Sequence, residues 1–284
     1  MRAGPGTPVM PTPGPARSPG TWQVFSETVT MMTPYLPDDE RAQVDAIRSS
    51  VCAKTSRPMH RPFLFLAPTL SESAPIRAAV ADGLARGELE LSVCGIGQMC
   101  ATSLCERLDR TGWLGCIALI GWAGGLRPDL AAGDVVLANA ALNAQGQCAP
   151  CTPVSLPGAR VGALLSVPAP LLTPQAKRTA TSCGALAVEM EAYPLAAWAC
   201  AHHLPFIHAR VILDTVNEAL PDLGDALDAV GRVRPGRLAA RLLARPGLAL
   251  DVLHFVRRMK RLDPILGMLA HAISGLAREL GQAA

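Results

Sequence analysis

Five short apolar runs recur along the chain, at 63–67, 89–94, 116–121, 134–142 and 206–213, and helical spacing fills intervals between them at 73–83, 99–110 and 190–203. Runs of this length suit strands buried on both faces, whereas buried helices need longer ones. Strands alternating with helices predict an α/β domain built on a largely parallel or mixed sheet. No apolar run reaches about 18 residues without a charge, so no membrane-spanning helix is expected.

The regions flanking this core differ in composition. Residues 1–20 are rich in Pro and Gly and read as a disordered tail, 21–60 as an N-terminal extension, 62–218 as the domain, and 219–284 as a helical, basic extension packed on it. The net charge of +3 is uneven: from Val230 onward ten basic residues face Asp251, Asp263 and Glu279. In that segment Leu238, Leu242 and Leu243, then Leu248, Leu250, Leu253, Phe255 and Val256, form apolar faces that Pro246 and Pro264 interrupt. A basic amphipathic tail predicts either packing on the body or contact with an anionic surface such as a membrane interface. The start of the chain has no apolar signal segment, and nine cysteines in mostly apolar or helical runs predict reduced thiols in a cytoplasmic protein, peripheral to the inner membrane if the tail binds lipid. "CAPC" at 148–151 is a lone pair with no second pair, short of the four ligands of a structural zinc site, so no metal is expected.

Chemistry concentrates in three segments. "VCGIGQMCA" ends a strand in Gly95-Ile96-Gly97 and opens a helix, where glycines let a ligand approach the backbone. It lacks the third glycine of a dinucleotide fingerprint, which argues against an oxidoreductase. "LIGWAGGLRPDLAAGDVVLA" sets Gly124 and Gly125 in a tight backbone cradle after an apolar strand. "ALAVEMEAYPLAAWACAHHLPFIHARVILDT" is almost wholly apolar yet carries Glu189, Glu191, Arg210 and Asp214. Burying a carboxylate costs several kcal/mol or shifts its pKa, so these groups are either solvated at the rims or held for chemistry. Arg210 is expected to pair with a buried carboxylate. Glu191 is expected in the first turn of a helix, near the positive end of its dipole, and Glu189 is left as a solvated or structural carboxylate.

The order CGIG, GWAGGLRPDLAAGDVV, VEMEA, RVILD resembles that of the nucleoside phosphorylase and nucleosidase superfamily over 62–262. Within it, the short connection before the GIG loop and the basic, Leu-rich tail are most similar to the hopanoid-associated phosphorylases, also called adenosylhopane nucleosidases. The resemblance implies one α/β domain with a central mixed, partly barrelled sheet flanked by helices. It further implies cleavage of the N-ribosidic bond of an adenine nucleoside, a lipid-linked one such as adenosylhopane in the narrowest reading and soluble methylthioadenosine or S-adenosylhomocysteine in the alternative, with no cofactor, no nucleic acid partner and a homo-oligomeric assembly.

The roles it implies are chemically coherent. A purine departs readily once N7 is protonated, and Asp214 matches the family's acid, its proton retained by burial. Glu191 matches the carboxylate that accepts the ribose hydroxyls, with Met190 against the sugar face. Glu72 matches the glutamate that orients water, and Cys94, Gly95, Gly97, Gly124 and Gly125 match the backbone around the substrate. Three positions depart from the pattern: Cys94 and Leu213 replace serines, and Leu91 stands where phosphorylases carry a phosphate-binding arginine. Arg77, in "SAPIR", resembles a second phosphate ligand. With one such ligand missing, hydrolysis is favoured over phosphorolysis. Set against these are blander readings: Asp214 as a cap, Glu72 and Glu191 as first-turn helix acids, and the whole chain as a non-catalytic nucleoside-binding relative.

Overall fold

The structure, a computed structural model, describes residues 63–111 and 115–282, with side chains through 276. The readings of 1–20 as disordered and 21–60 as an extension fall outside the described residues.

Eight strands form one mixed sheet: β1 (Phe63–Ala67), β2 (Leu89–Val93), β3 (Ile117–Gly125), β4 (Val135–Asn143), β5 (Cys148–Pro150), β6 (Arg160–Ser166), β7 (Ala187–Glu189) and β8 (Phe206–Asp214). The path runs β2-β1-β3-β7-β6-β4-β5, and β8 pairs with both β3 and β4. Strands β3, β7, β6, β4 and β8 therefore close on themselves as a ring, with β1 and β2 extending from β3 and β5 from β4. Pairings β1–β2, β1–β3, β3–β8, β4–β6 and β6–β7 are parallel, while β3–β7, β4–β5 and β4–β8 are antiparallel. This is the α/β class with a mixed, partly barrelled sheet expected from the sequence. All residues of β1 and β8 are buried, which is why both read as continuous apolar runs rather than alternating ones.

Among the described residues, seven helices flank the sheet: α1 (Leu70–Ala79), α2 (Ala81–Ala85), α3 (Gln98–Thr111), α4 (Pro174–Ala180), α5 (Ala192–Ala201), α6 (Pro235–Ala244) and α7 (Leu248–Gln282). Thr69 starts α1 by accepting the Glu72 N–H at 3.3 Å, the N-cap arrangement that serves an otherwise unpaired donor. Helix α3 buries Ala101, Leu104, Cys105 and Leu108, one stripe at helical spacing.

The tail differs from its expected form in two ways. Residues 215–234 are mostly irregular, with one short 3₁₀ turn at Gly224–Ala226, and helix begins only at Pro235. Pro246 does separate two helices, but Pro264 lies inside α7 without ending it. That proline is exposed, so solvent can serve the carbonyl its ring deprives of an N–H partner. One apolar stripe runs the length of α7. Leu266, Leu269, Ala270 and Ile273 are buried in the same cluster as β1, β3 and β8, whereas Val252, Phe255, Val256 and Met259 line a cavity. No helix among the described residues is long and apolar enough to cross a membrane.

Candidate active site

A cavity of about 430 Å³ opens where β3, β7 and β8 meet α1 and the tail. Glu72, Met190, Glu191, Gly124 and Asp214 all line it, so five of the site residues expected from the sequence share one chamber.

Arg210 organises its floor. Its side chain is fully buried on β8, and it donates from Nη2 to Glu189 at 2.6 Å and Glu191 at 3.1 Å, from Nη1 to the Trp122 carbonyl at 3.3 Å, and from Nε to His208 Nε2 at 3.0 Å. A bond accepted at Nε2 places the neutral ring's proton on Nδ1, which has no partner among the described residues. Burial pushes His208 down to about 3, so its 3.9 Å approach to Glu189 is not an ion pair. The expected pairing of Arg210 with a buried carboxylate holds, with two carboxylates rather than one.

Glu189 is structural. One oxygen accepts from the buried Ser166 hydroxyl, and the other accepts the N–H groups of Glu191 and Ala192, each at 2.9 Å. An anion on the first free N–H groups of α5 is favoured by the helix dipole. Burial opposes its charge, but Arg210 and these hydrogen bonds hold Glu189 below the usual carboxylate range. Glu191 sits at the N-cap of α5 and accepts the Gly97 N–H at 2.9 Å. Burial and the neighbouring Glu189 outweigh Arg210 and push it up to about 7. Glu72 accepts from the Thr69 hydroxyl at 2.5 Å and from the Trp122 N–H at 2.8 Å. Burial raises it despite Arg210.

Two carboxylates on one guanidinium, with Glu72 beside them, need room, and Gly121 provides it. A Cβ there would stand 2.5 Å from both Arg210 Nη1 and Glu72 Oε1. Gly121→Ala is accordingly expected to cost about 1–3 kcal/mol, the usual penalty for overpacking. Thermal melts check this; a variant that melts with the parent would show the array to be loosely held.

Asp214 ends β8, and the register slips by one residue there, so that Ala123 pairs with Ile212 but Gly124 with Asp214. A bulge at this point re-aims the side chain. Gly124 lets it come close, since a Cβ would lie 3.2 Å from both Asp214 Oδ2 and Val188 Cγ1. Asp214 is also ion-paired to the fully buried Lys177 of α4. Burial raises the Asp214 carboxyl and Lys177 pulls it back, leaving it above the ordinary range. The sequence reading anticipated the burial but not the lysine.

Several anticipated residues do not reach the cavity. Cys94 does not line it; its buried thiol contacts the Ala67 and Gly95 carbonyls, each at 3.5 Å, and burial pushes it well up. Arg77 is exposed on the outer side of α1 and does not line the cavity either, which removes it as a phosphate ligand there. Gly95, Gly97 and Gly125 shape backbone rather than wall: Gly95 and Gly97 take φ of 89° and 88°, and the Gly97 N–H is spent on Glu191. Val167, Pro170 and Leu171 give the cavity an aliphatic wall.

No family profile matches the chain, and no curated protein matches it either. Solved structures do. The Helicobacter pylori 5′-methylthioadenosine/S-adenosylhomocysteine nucleosidase superposes with a TM-score of 0.54 at 14% identity, covering 76% of this chain and 98% of that one. The Neisseria meningitidis nucleosidase of the same name, in complex with methylthio-immucillin-A, gives 0.53 at 18% identity, covering 76% and 99%. At these identities the likeness is one of fold, and the chain carries the fold of these nucleosidases across nearly their whole length.

Proposed function

We propose that the protein hydrolyses the N-ribosidic bond of an adenine nucleoside bearing an apolar 5′ substituent. The reading rests on one observation: Asp214, Glu191 and Glu72 line a single cavity of about 430 Å³, a volume within the range of small-molecule sites. As the bond from C1′ to N9 breaks, its electron pair stays on the purine and the Asp214 proton passes to N7. The sugar becomes cationic, and the Glu191 carboxylate, accepting the ribose hydroxyls, stabilises it more as that charge grows. Met190 packs against the sugar. Water attacks C1′ and gives its proton to Glu72. Exchange with solvent then returns both carboxyls to their starting states.

Water is favoured over phosphate because the cations lining the cavity are already engaged. Arg210 is held by Glu189 and Glu191, Lys177 by Asp214, and Lys260 by Asp263 at 3.2 Å. The 5′ substituent is read from the tail: Leu220, Leu223, Leu238, Val252, Phe255 and Met259 wall the cavity with apolar surface. The narrowest form of the proposal is a lipid-linked nucleoside such as adenosylhopane. Supporting it, Leu243 is 84% and Leu250 62% exposed on helices that also carry Arg237 and Arg257, a composition suited to an anionic lipid surface. A neighbouring subunit closing the site belongs to the same proposal.

Adenine release from methylthioadenosine and from a 5′-alkyl adenosine carried in phosphatidylglycerol vesicles, each with and without phosphate, tests the reading. We expect release independent of phosphate and faster from the lipid-borne nucleoside. Release only with phosphate would make the enzyme a phosphorylase, preference for methylthioadenosine would remove the lipid link, and no release from either would end the enzymatic reading.

A further inference from the structure

Fully buried lysines are rare unless paired, and Lys177 is 0% exposed. It comes from α4, started by Thr173, whose side chain accepts the Ala176 N–H. Its Nζ bonds Asp214 Oδ2, the Thr215 carbonyl at 3.1 Å and the Glu218 carbonyl at 2.6 Å. Three oxygens meet three donors, the complement of an ammonium. Two of the acceptors are carbonyls just after β8, so the lysine grips the segment that carries the acid as well as the acid itself. Oδ2 of Asp214 is thereby occupied, and Oδ1 has no hydrogen-bond partner among the described residues.

We propose that Lys177 is the positioning residue of the acid: it anchors Asp214 Oδ2, leaves Oδ1 to present the proton to the departing base, and supplies the fixed counter-charge for the carboxylate that remains. This rests on the nucleoside-cleaving reading and assigns a part of the site that reading did not need. Asp214 is 2% exposed, and a carboxyl so buried has little solvent to stabilise the charge left when it gives up its proton. A cation already in place removes that obstacle without any rearrangement. The proton passes from Oδ1 to N7, the bond pair from C1′ goes to the purine, and the Asp214–Lys177 pair is left as carboxylate and ammonium. Other charged groups near Asp214 are Glu218, from the segment after β8, and Arg258, from α7. These two pair with each other at 2.8 Å and largely cancel, so Lys177 carries the effect.

The test compares the parent protein with Lys177→Met and Lys177→Arg. Carbon-13 NMR follows the aspartate carboxyls against pH, the Asp214 signal being the one absent from Asp214→Asn. Removing the cation raises the carboxyl's pKa, so Asp214 in Lys177→Met is expected to titrate about 1–3 pH units higher, with Lys177→Arg close to the parent. In turnover, the alkaline limb of kcat moves upward with it and kcat falls, since the acid is weaker and less well aimed. A merely structural lysine would lower kcat and Tm but leave the limb and the carboxyl titration in place, and that result overturns the proposal. Should Lys177→Met not fold, the nitrogen-15 signal of Lys177 Nζ in the parent decides: it must move as Asp214 titrates, and an unresponsive signal is equally fatal. A parent that releases no base refutes the nucleosidase reading alone, because the carboxyl titration needs no substrate.

Discussion

Asp214→Asn is expected to lower adenine release by about 10²–10⁴-fold, the usual contribution of a positioned general acid, while an adenosine analogue still binds. Asparagine keeps the shape and can accept from Lys177 but has no proton to give to N7. It also leaves the ammonium with two carbonyls and no carboxylate, and a buried charge stripped of its partner is destabilising. The variant should therefore melt earlier than the parent. Adding Lys177→Met should restore part of that stability and none of the turnover. A single variant that keeps more than about a tenth of parental turnover would show that Asp214 does not supply the proton, because even a weak general acid is worth more than that.

Arg210→Met is the second large effect, and it acts on the fold itself. It removes the one guanidinium that serves Glu189 and Glu191 and lies within coulombic reach of Glu72. Breaking a buried pair by deleting one partner costs about 3–5 kcal/mol. The sign with pH follows from what is left behind. Without the cation, burial raises the folded pKa of these carboxyls, so folding requires them to bind protons that the unfolded chain does not hold above its own carboxyl pKa. The deficit relative to the parent should therefore be small in acid and grow toward neutral and alkaline pH. Denaturant unfolding of both proteins at several pH values measures it; a deficit that is constant, or that shrinks as pH rises, would mean the array is not held by charge.

Much of this site was legible in the order of residues, for identifiable reasons. The strands β1, β3, β4 and β8 are buried on both faces or nearly so, and such strands show as unbroken apolar runs. Polar residues inside those runs, Arg210 and Asp214, were visible as violations of the pattern. Glu72, Glu191 and Gly124 could be found because they flank strand ends in a recognisable order. What escaped notice had no such contrast. β7 is three residues long, too short for any periodicity to register. β6 has an exposed first half and a buried second half, which blurs both strand signals. Lys177 lies on a seven-residue helix between an exposed Arg178 and small residues, and nothing local distinguishes it from a solvated lysine. Its partner is 37 positions away, and only the closure of the ring brings them together. Ser166 escaped for the same reason, its carboxylate partner being 23 positions on. Cys94 and Arg77 erred in the opposite direction: each matched a pattern by its place along the chain, but the backbone turns one into the core and the other out to solvent.

The long final helix welds two tasks into one rod. Its far half is clamped into the hydrophobic interior and its near half roofs the chamber, so the ceiling height is set by contacts a full helix-half away from the reacting bond. Trimming Phe255 or Met259 would admit a bulkier guest while Asp214 and its lysine stayed put. Loosening Leu269 or Ile273 would instead let the whole roof tilt. Under the proposed function, selectivity and catalysis are thus mechanically separable, and the choice of guest can drift without disturbing the chemistry beneath.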